Sequence, residues 1–386
     1  MKIALLTTDN RQPFRQFDRP EPFFGTAPEA LLQGFAALPE AEVHVVACIR
    51  RPVNSPEKLA PNIFFHSVVV PKIGWMRTLY QGCVRATRKK LREIQPDIVH
   101  GQGTELDCGI SAAFSGFPNV LTIHGNMRLI AKVNQARPFS FNWMAARLED
   151  FTLPRTDGIV AITNYTRTAV ASRARHTWVL PNAVDESFFS VQAAPDLTAP
   201  PIGLCVGTIC HRKNQNHFIR ALDSLAKERK FKIIFLGLTD HSAYSREFLE
   251  LIRERPWCEH AGFADRTNLK TYFQSATLVV LPTLEDNCPM VVLEAMAAGV
   301  PVLASNVGGV PDLIEPEVTG LFCHPDQPES FRTGITRLLD DRPLAQQLAT
   351  NAKTAALQRF HPQAVARQHL KIYQEVLTMT GSRAGI

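Results

Sequence analysis

The chain has 386 residues, 45% of them hydrophobic and 20% charged, with a formal charge of +6 at neutral pH. That length fits two domains of ordinary size, and the composition is that of a soluble globular protein. No apolar run approaches the roughly 18–20 residues needed to cross a bilayer. Eight cysteines without a C-x-x-C pair point away from a zinc site and towards reduced core thiols in a cytoplasmic protein.

The opening Met-Lys-Ile-Ala-Leu-Leu is followed at once by Thr7-Thr8-Asp9, so it reads as a first strand and not as a secretion signal. Short buried strands are predicted at residues 3–7, 43–48, 64–70, 98–100, 120–124, 158–162 and 177–180. Helical patterns fall between them at 28–38, 76–94, 106–114, 141–151 and 165–172. Alternation of this kind implies a parallel sheet with helices on both faces. Residues 190–201, Ser-Val-Gln-Ala-Ala-Pro-Asp-Leu-Thr-Ala-Pro-Pro, form a Pro/Ala-rich break and the expected linker.

Beyond the break the pattern restarts, with strands expected at 202–206, 232–236, 259–262, 278–281, 302–304 and 320–323. Helices are expected at 215–228, 245–253, 268–274, 289–298 and 329–339, and two more, 344–359 and 362–377, close the chain. Two doubly wound domains facing one another place a cleft at the carboxyl ends of both sheets, where open α/β sheets bind ligands. No G-x-G-x-x-G follows the first strand, which removes most of the support for a nicotinamide or flavin enzyme.

The charge is unevenly placed. Residues 1–190 hold 22 Lys and Arg against 16 Asp and Glu, and residues 191–386 hold 20 against 20, so the whole excess lies in the N-terminal half. The segment from Met76 to Ile94 repeats apolar residues near helical spacing and carries Arg77, Arg85, Arg88, Lys89, Lys90 and Arg92. A basic amphipathic helix suits either a sheet-covering role with a solvated face or peripheral contact with an anionic membrane. No aromatic-interleaved basic stripe accompanies it, so nucleic acid is not an expected partner.

The most informative stretch is 281–299. The apolar run 278–281 ends at Pro282, a polar turn follows, and a helix opens at Pro289 and stops at Gly299. Asp286 and Glu294 are separated by seven residues. Between them lie the N–H groups of Met290, Val291 and Val292, at the positive end of the helix, which suits a phosphate. A carboxylate on either side suits hydroxyls, so the pattern fits a ligand that is part phosphate and part polyol, such as a nucleotide sugar.

Asp286, its seven-residue spacer, Glu294 and the run Ala295-Met296-Ala297-Ala298-Gly299-Val300-Pro301-Val302 resemble the signature of retaining glycosyltransferases of family 4. Supporting segments stand in the family's order: Leu-Thr-Ile-His-Gly at 121–125, Pro-Asn-Ala-Val-Asp at 181–185, Val-Gly-Thr-Ile at 206–209, Arg-Lys-Asn at 212–214 and Gly-Gly-Val-Pro-Asp at 308–312. The resemblance implies an α/β chain of the GT-B type, two doubly wound Rossmann-like domains facing a central cleft. Residues 1–190 would bind the acceptor and 191–361 the nucleotide-sugar donor, with a C-terminal helix over 362–386 packing back on the first domain.

The site roles that the resemblance implies can be set against the chemistry of the residues present. Glu294 accepts hydrogen bonds from the ribose hydroxyls, which a carboxylate can do with both oxygens. Asp286 touches hydroxyls of the transferred sugar in a place more often held by Glu, and Glu285 beside it is out of register. Backbone N–H groups of Asn287, Cys288, Met290 and Val291 face sugar and diphosphate, while Pro289 has none to give. Lys213 neutralises the diphosphate and the charge that develops as it leaves. Relatives often carry an Arg where this chain has Thr208, and Arg212 is the substitute at hand. His124 contacts the transferred sugar near the reacting carbon, and Gly25, in Phe24-Gly25-Thr26, approaches the diphosphate. Glu105 has no assigned role.

No Asp-x-Asp occurs and the carboxylates are dispersed, so metal independence and no cofactor are expected. The function implied is transfer of a sugar to a glycan, lipid-linked or small-molecule acceptor, in surface polysaccharide biosynthesis. The alternatives are a non-catalytic nucleotide-sugar-binding module, or an epimerase or phosphorylase on the same fold.

Overall fold

The computed structural model describes residues 1–381, which fall into two compact units. One unit is Met1–Ala183 together with the chain from Pro362 onward, and the other is Val184–His361. The last five positions of the expected 362–386 helix lie outside the described residues.

In the first unit the chain runs β1 (Lys2–Leu6), α1 (Thr26–Ala36), β2 (Glu42–Ile49), β3 (Lys58–Ala60), β4 (Ile63–Val69), α2 (Gln81–Ile94) and β5 (Ile98–Gln102). It continues through α3 (Asp107–Ala113), β6 (Asn119–Ile123), α4 (Met127–Val133), α5 (Phe141–Thr152), β7 (Gly158–Ala161), α6 (Asn164–Val170) and β8 (Thr177–Val179). The strands form one sheet in the order β3-β4-β2-β1-β5-β6-β7-β8, parallel except for the β3–β4 pair. Alternation along β1 shows why both faces are covered: Ile3 and Leu5 enter the core under α1, while Ala4 and Leu6 enter the core on the other face.

The second unit runs β9 (Ile202–Val206), α7 (Gln215–Ala221), α8 (Leu225–Glu228), β10 (Lys232–Leu236), α9 (Ala243–Arg253), β11 (Cys258–Gly262) and α10 (Arg266–Ser275). Then come β12 (Leu278–Leu281), α11 (Met290–Ala298), β13 (Val302–Ser305), β14 (Leu321–Cys323), α12 (Pro328–Asp340) and α13 (Arg342–Arg359). Its sheet has the order β11-β10-β9-β12-β13-β14 and its strand pairs are parallel. The order reverses between β9 and β12, which makes the loops after those two strands the expected place for a ligand.

The unit boundary precedes the Pro/Ala-rich stretch, for a packing reason. Phe188 is fully buried with its ring edge-on to Phe273, 5.7 Å between centroids, and Val184 N–H donates to Phe360 O at 2.9 Å. Residues 184–191 therefore belong to the second unit, and the stretch beyond them is fastened along it by Ala194 N–H to Gln274 O and by Lys353 Nζ to Val191 O. The last helix, α14 (Pro362–Gly381), packs on α1 of the first unit, with Phe35 stacked on Tyr373.

Two expected helices are interrupted. The pattern at 76–94 begins as a single tight turn over Met76–Thr78, then Leu79 and Tyr80 take left-handed backbone angles and α2 starts only at Gln81. Tyr80 is buried beside Trp75, and that anchor holds the break. The apolar side of α2, Cys83, Val84, Leu91 and Ile94, is buried within the unit, so it covers the sheet and only its basic side faces outward. The pattern at 215–228 splits into α7 and α8. No helix among the described residues is long and apolar enough to cross a membrane.

Candidate functional site

The loops after β9 and β12 lie at the reversal point of the second sheet, and they are joined residue by residue. Leu284 N–H and Thr283 Oγ1 both donate to Arg212 O, at 2.8 and 2.9 Å. Arg212 Nη1 returns a bond to Glu285 O at 2.8 Å. Lys213 Nζ is hydrogen-bonded to Asp286 Oδ2, and Arg212 Nη1 stands 3.4 Å from the same oxygen. Lys213, Asp286 and Arg212 therefore form one charged cluster; the Lys213 side chain is 14% exposed and that of Arg212 44%. Gly308 holds this loop from behind: its φ is +57° and a Cβ there would lie 2.1 Å from Asp286 O, so no larger residue fits. Gly309 N–H donates to Asp286 O at 2.9 Å.

Helix α11 begins after Pro289, and every residue from Val291 to Ala298 is buried. Its first-turn donors are fewer than the sequence suggests. Val292 N–H is taken by Pro289 O at 3.0 Å, because the helix opens with a tight turn, and Asn287 N–H is taken by its own neighbour's Oδ1. Met290 and Val291 carry N–H groups that have no partner one turn back. Cys288 and Pro289 are buried under the turn. Thr208, at the end of β9, is exposed, and its carbonyl accepts from Gln215 Nε2 at 3.1 Å.

Glu294 points into a different environment from Asp286. It is 6% exposed, and among the described residues no donor is hydrogen-bonded to its carboxyl. Burial pushes its pKa up to about 7, against a lowering by Arg266 and a further raising by Asp185. Those two residues pair with each other, Arg266 Nη1 to Asp185 Oδ2 at 3.2 Å, and bring to Glu294 a neutral ion pair that the sequence reading did not assign. Their signal was present in part, since Asp185 ends the 181–185 segment; Arg266, at the start of α10, had none. Glu285 is half-buried and also raised by burial.

The remaining candidates lie in the first unit, at the carboxyl end of its sheet. His124 follows β6 directly. Its Nε2 is 2.8 Å from Gln102 Oε1, so the ring donates there, and burial lowers its pKa to about 4 despite an opposing bond with Asn182. Gln102 Nε2 in turn meets His100 at 3.0 Å, and His100 bonds Tyr373 of α14 and Thr122 at 2.6 and 2.7 Å. His124 is thus a neutral ring fixed by a buried polar chain whose members lie far from the 121–125 segment in sequence. Gly25 caps α1 with φ −66°, and a Cβ there would meet the Pro28 ring at ordinary contact distance, 3.6 Å to Cδ and 4.0 Å to Cγ. The fold does not require glycine at that position.

Glu105 does not open a helix; α3 starts at Asp107, and the Glu105 carboxylate folds back to accept from Thr104 N–H at 2.9 Å. None of the eight cysteines is in a disulfide. Cys48, Cys83 and Asp107 bring their ligand-type atoms within 4.8 Å of one another in the core, and burial lifts Asp107 to about 6.

Two Rossmann-like parallel sheets, each with its candidate residues beyond the carboxyl ends of the strands, define the GT-B class of fold. Residues 191–355 match the family model "Glycosyl transferases group 1" and residues 29–188 match "Glycosyltransferase Family 4". The chain belongs to this family of glycosyltransferases.

Among relatives, an uncharacterized glycosyltransferase of Methanocaldococcus jannaschii is 30% identical over 178 residues, 46% of each chain. The 2-deoxystreptamine glucosyltransferase of Streptomyces kanamyceticus is 24% identical over 82% of this chain and 86% of its own. Among solved structures, sucrose-phosphate synthase from Thermosynechococcus elongatus superposes with a TM-score of 0.77 at 21% identity, covering 98% of this chain and all of the other. Anabaena HepE in complex with UDP-glucose gives 0.70 at 18% identity, over 97% of this chain and all of the other.

Proposed function

We propose that the protein is a retaining, metal-independent glycosyltransferase that moves a sugar from a nucleoside-diphosphate sugar to a glycan, lipid-linked or small-molecule acceptor. The observation that carries the donor assignment is Glu294: a carboxyl buried in an apolar helix, with no donor bonded to it among the described residues, one turn from the N–H groups of Met290 and Val291. Burying such a group is unfavourable unless a ligand supplies its hydrogen bonds, and a ribose diol supplies two. HepE, which shares the fold, is described in complex with UDP-glucose.

In the resting protein the Lys213 ammonium is held by Asp286. An arriving diphosphate competes for that cation, leaving the Asp286 carboxylate to accept from hydroxyls of the transferred sugar. As the bond from anomeric carbon to diphosphate oxygen breaks, the electron pair stays on the diphosphate. The fixed Lys213 charge and the N–H groups of Met290 and Val291 then stabilise the growing charge. The acceptor oxygen bonds to the anomeric carbon and passes its proton to the departing diphosphate oxygen, which holds the released electron pair. His124, neutral and pinned by Gln102, is suited to hold a hydroxyl of the sugar rather than to carry a positive charge, and Gly25 leaves room for the diphosphate. These cations and dipoles do the work that a metal ion does elsewhere, so chelation with EDTA should leave the rate unchanged.

A place in surface polysaccharide assembly on the cytoplasmic side is the favoured setting. It is supported by a relative named as the lipopolysaccharide core mannosyltransferase LpsB of Rhizobium meliloti, 26% identical over 59% of this chain. The test is a donor panel read by thermal shift and by release of nucleoside diphosphate, because a ligand that binds the folded state raises its melting point. One donor should stabilise the protein, and Glu294→Gln should weaken that donor. No response to any donor, with the variant indistinguishable, would sink the reading.

The ion pairing of Asp286 favours one second reading, a module that binds donor without turnover. Calorimetric binding with no release of nucleoside diphosphate to any acceptor extract would select it. Interconversion of donors, or release of a sugar phosphate, would select an epimerase or a phosphorylase instead.

A further inference from the structure

We propose that the carboxyl edge of the N-terminal sheet carries a docking surface for an anionic lipid bilayer, built from the segment after β4 and the α4–α5 hairpin. The apolar side of α2, the obvious membrane candidate in the sequence, is used up inside the unit. Other apolar side chains are left outside it. Phe139 is 82% exposed and Ile73 77%, and Val133, Phe141 and Leu79 are also exposed. Scattered surface hydrophobes are ordinary, whereas a joined group of them marks an interaction site.

The two segments that carry these residues are joined. Met76 packs on the small cluster of Met127, Ala145 and Ala146, which binds the 73–79 turn to the α4–α5 hairpin. The Phe139 and Trp143 rings lie 5.4 Å apart. Phe139 and Leu79 have φ of +65° and +49°, a left-handed backbone that is costly for a bulky side chain and that here presents both side chains outward.

The charge around the ridge is predominantly basic; one acid approaches it, Asp150, 4.0 Å from Arg128, and that carboxylate is also bonded to Arg173. No Asp or Glu occurs from Lys58 to Arg92 or from Cys108 to Leu148. Lys72, Arg77, Arg128, Lys132, Arg137 and Arg147 are exposed beside the apolar residues, and the Arg147 guanidinium lies 5.4 Å over the Trp143 ring. Aliphatic and aromatic side chains that can enter an acyl boundary, ringed by Lys and Arg that meet anionic headgroups, are what an interfacial contact needs. Ile73, Leu79 and Val133 have no ring on which a base could stack, which disfavours nucleic acid. A second copy would set cation against cation across a two-fold axis.

The position has a consequence that rests on the glycosyltransferase reading. β4 and β6 are parallel members of one sheet, so both segments leave its carboxyl end, where His124 also stands. A bilayer held there lies on the same side of the unit as the proposed sugar-contacting histidine, and that favours a lipid-linked acceptor among the three classes.

The experiment uses the full chain and vesicles of phosphatidylcholine, with and without about 30 mol % phosphatidylglycerol, in roughly 0.1 M NaCl. Co-sedimentation is expected to be at least about tenfold stronger with the anionic lipid and to fall as salt rises. The triple change Ile73→Ser, Phe139→Ser, Phe141→Ser should weaken it about tenfold or more, as should Lys72→Glu with Lys132→Glu and Arg137→Glu. Because these side chains are solvent-facing, the melting point should hold, and donor thermal shifts should be unchanged. Failure here and failure of the sugar-transfer reading are therefore read separately. Three results would overturn the proposal: no binding to anionic vesicles, binding untouched by both variants, or tighter binding to a single-stranded oligonucleotide. A light-scattering mass that drops from dimer to monomer in the triple variant would overturn it too, assigning the ridge to a second copy.

Discussion

The two ends of the 282–298 loop and helix carry one carboxyl each, and the protein treats them in opposite ways. Asp286 lies in the turn, bonded to Lys213 and within reach of Arg212, so its charge is answered before any ligand arrives. Glu294 lies in a helix of buried Val, Leu, Ala and Met, with the nearest cation already committed to Asp185, and burial lifts it to about 7. The first end is built for stability and for trading partners. The second is left uncommitted at a cost to the fold, which is a common mark of a binding group.

The largest effect expected from breaking this contrast is at Lys213. Lys213→Ala removes the fixed cation at the leaving group, and kcat should fall about 10²–10³-fold, in the range seen when one preorganised charge-stabilising group is lost. Steady-state kinetics against donor concentration decides the role. A rise in KM with kcat intact would make Lys213 a ground-state binder only.

Next comes the stability of the Glu294 end. Its folded pKa is raised, to about 7 from 4.5, so the folded state holds its proton more tightly than the unfolded chain does. The contribution of this group to stability is then fully present below about pH 4.5 and is lost as pH rises through about 7, by about 3 kcal/mol in all. Glu294→Gln mimics the protonated form and removes that decline. Its unfolding free energy should match the parent near pH 4.5 and exceed it by up to about 3 kcal/mol at pH 8. Equal melting curves at pH 8 would mean that the carboxyl is better solvated than its burial implies. The same variant should lose donor affinity by about 30-fold, roughly 2 kcal/mol, because an amide still accepts one bond but not two charge-assisted ones. More stable and less able to bind is a combination that a purely structural Glu cannot produce.

Much of this site was legible because it lies in one continuous stretch. A buried strand, a polar turn, Pro289, two acids at fixed spacing and Gly299 are local signals, and local physics places them. What escaped the sequence lies across chain distance. The Arg266–Asp185 pair beside Glu294 and the Gln102–His100–Tyr373 chain behind His124 depend on which elements pack together. The helix expected from 76 to 94 failed for the same reason. Its periodicity is real, but burying Tyr80 beside Trp75 turns the backbone left-handed and delays the helix to Gln81. Val292 shows the limit at atomic scale: its N–H was counted as open, and one tight turn at the helix start closes it.

The smallest effect expected is at Arg212, and it sharpens the contrast within the charged end itself. Arg212 and Lys213 are adjacent, and both approach Asp286 Oδ2, yet the Arg212 side chain is 44% exposed and Lys213 14%. A cation with that much water around it interacts weakly with its neighbours, and exposed pairs are worth about 0–1 kcal/mol. Arg212 also spends a hydrogen bond on Glu285 O, which holds the loop rather than a ligand. Arg212→Ala should therefore lower kcat/KM about two- to fivefold, within that same 1 kcal/mol. The loss should shrink as salt is raised. If Arg212 instead replaces the cation that Thr208 lacks, the loss would approach that of Lys213→Ala, and the double variant would lose little beyond either single one. The double-mutant cycle settles it, since independent roles add and a shared one does not.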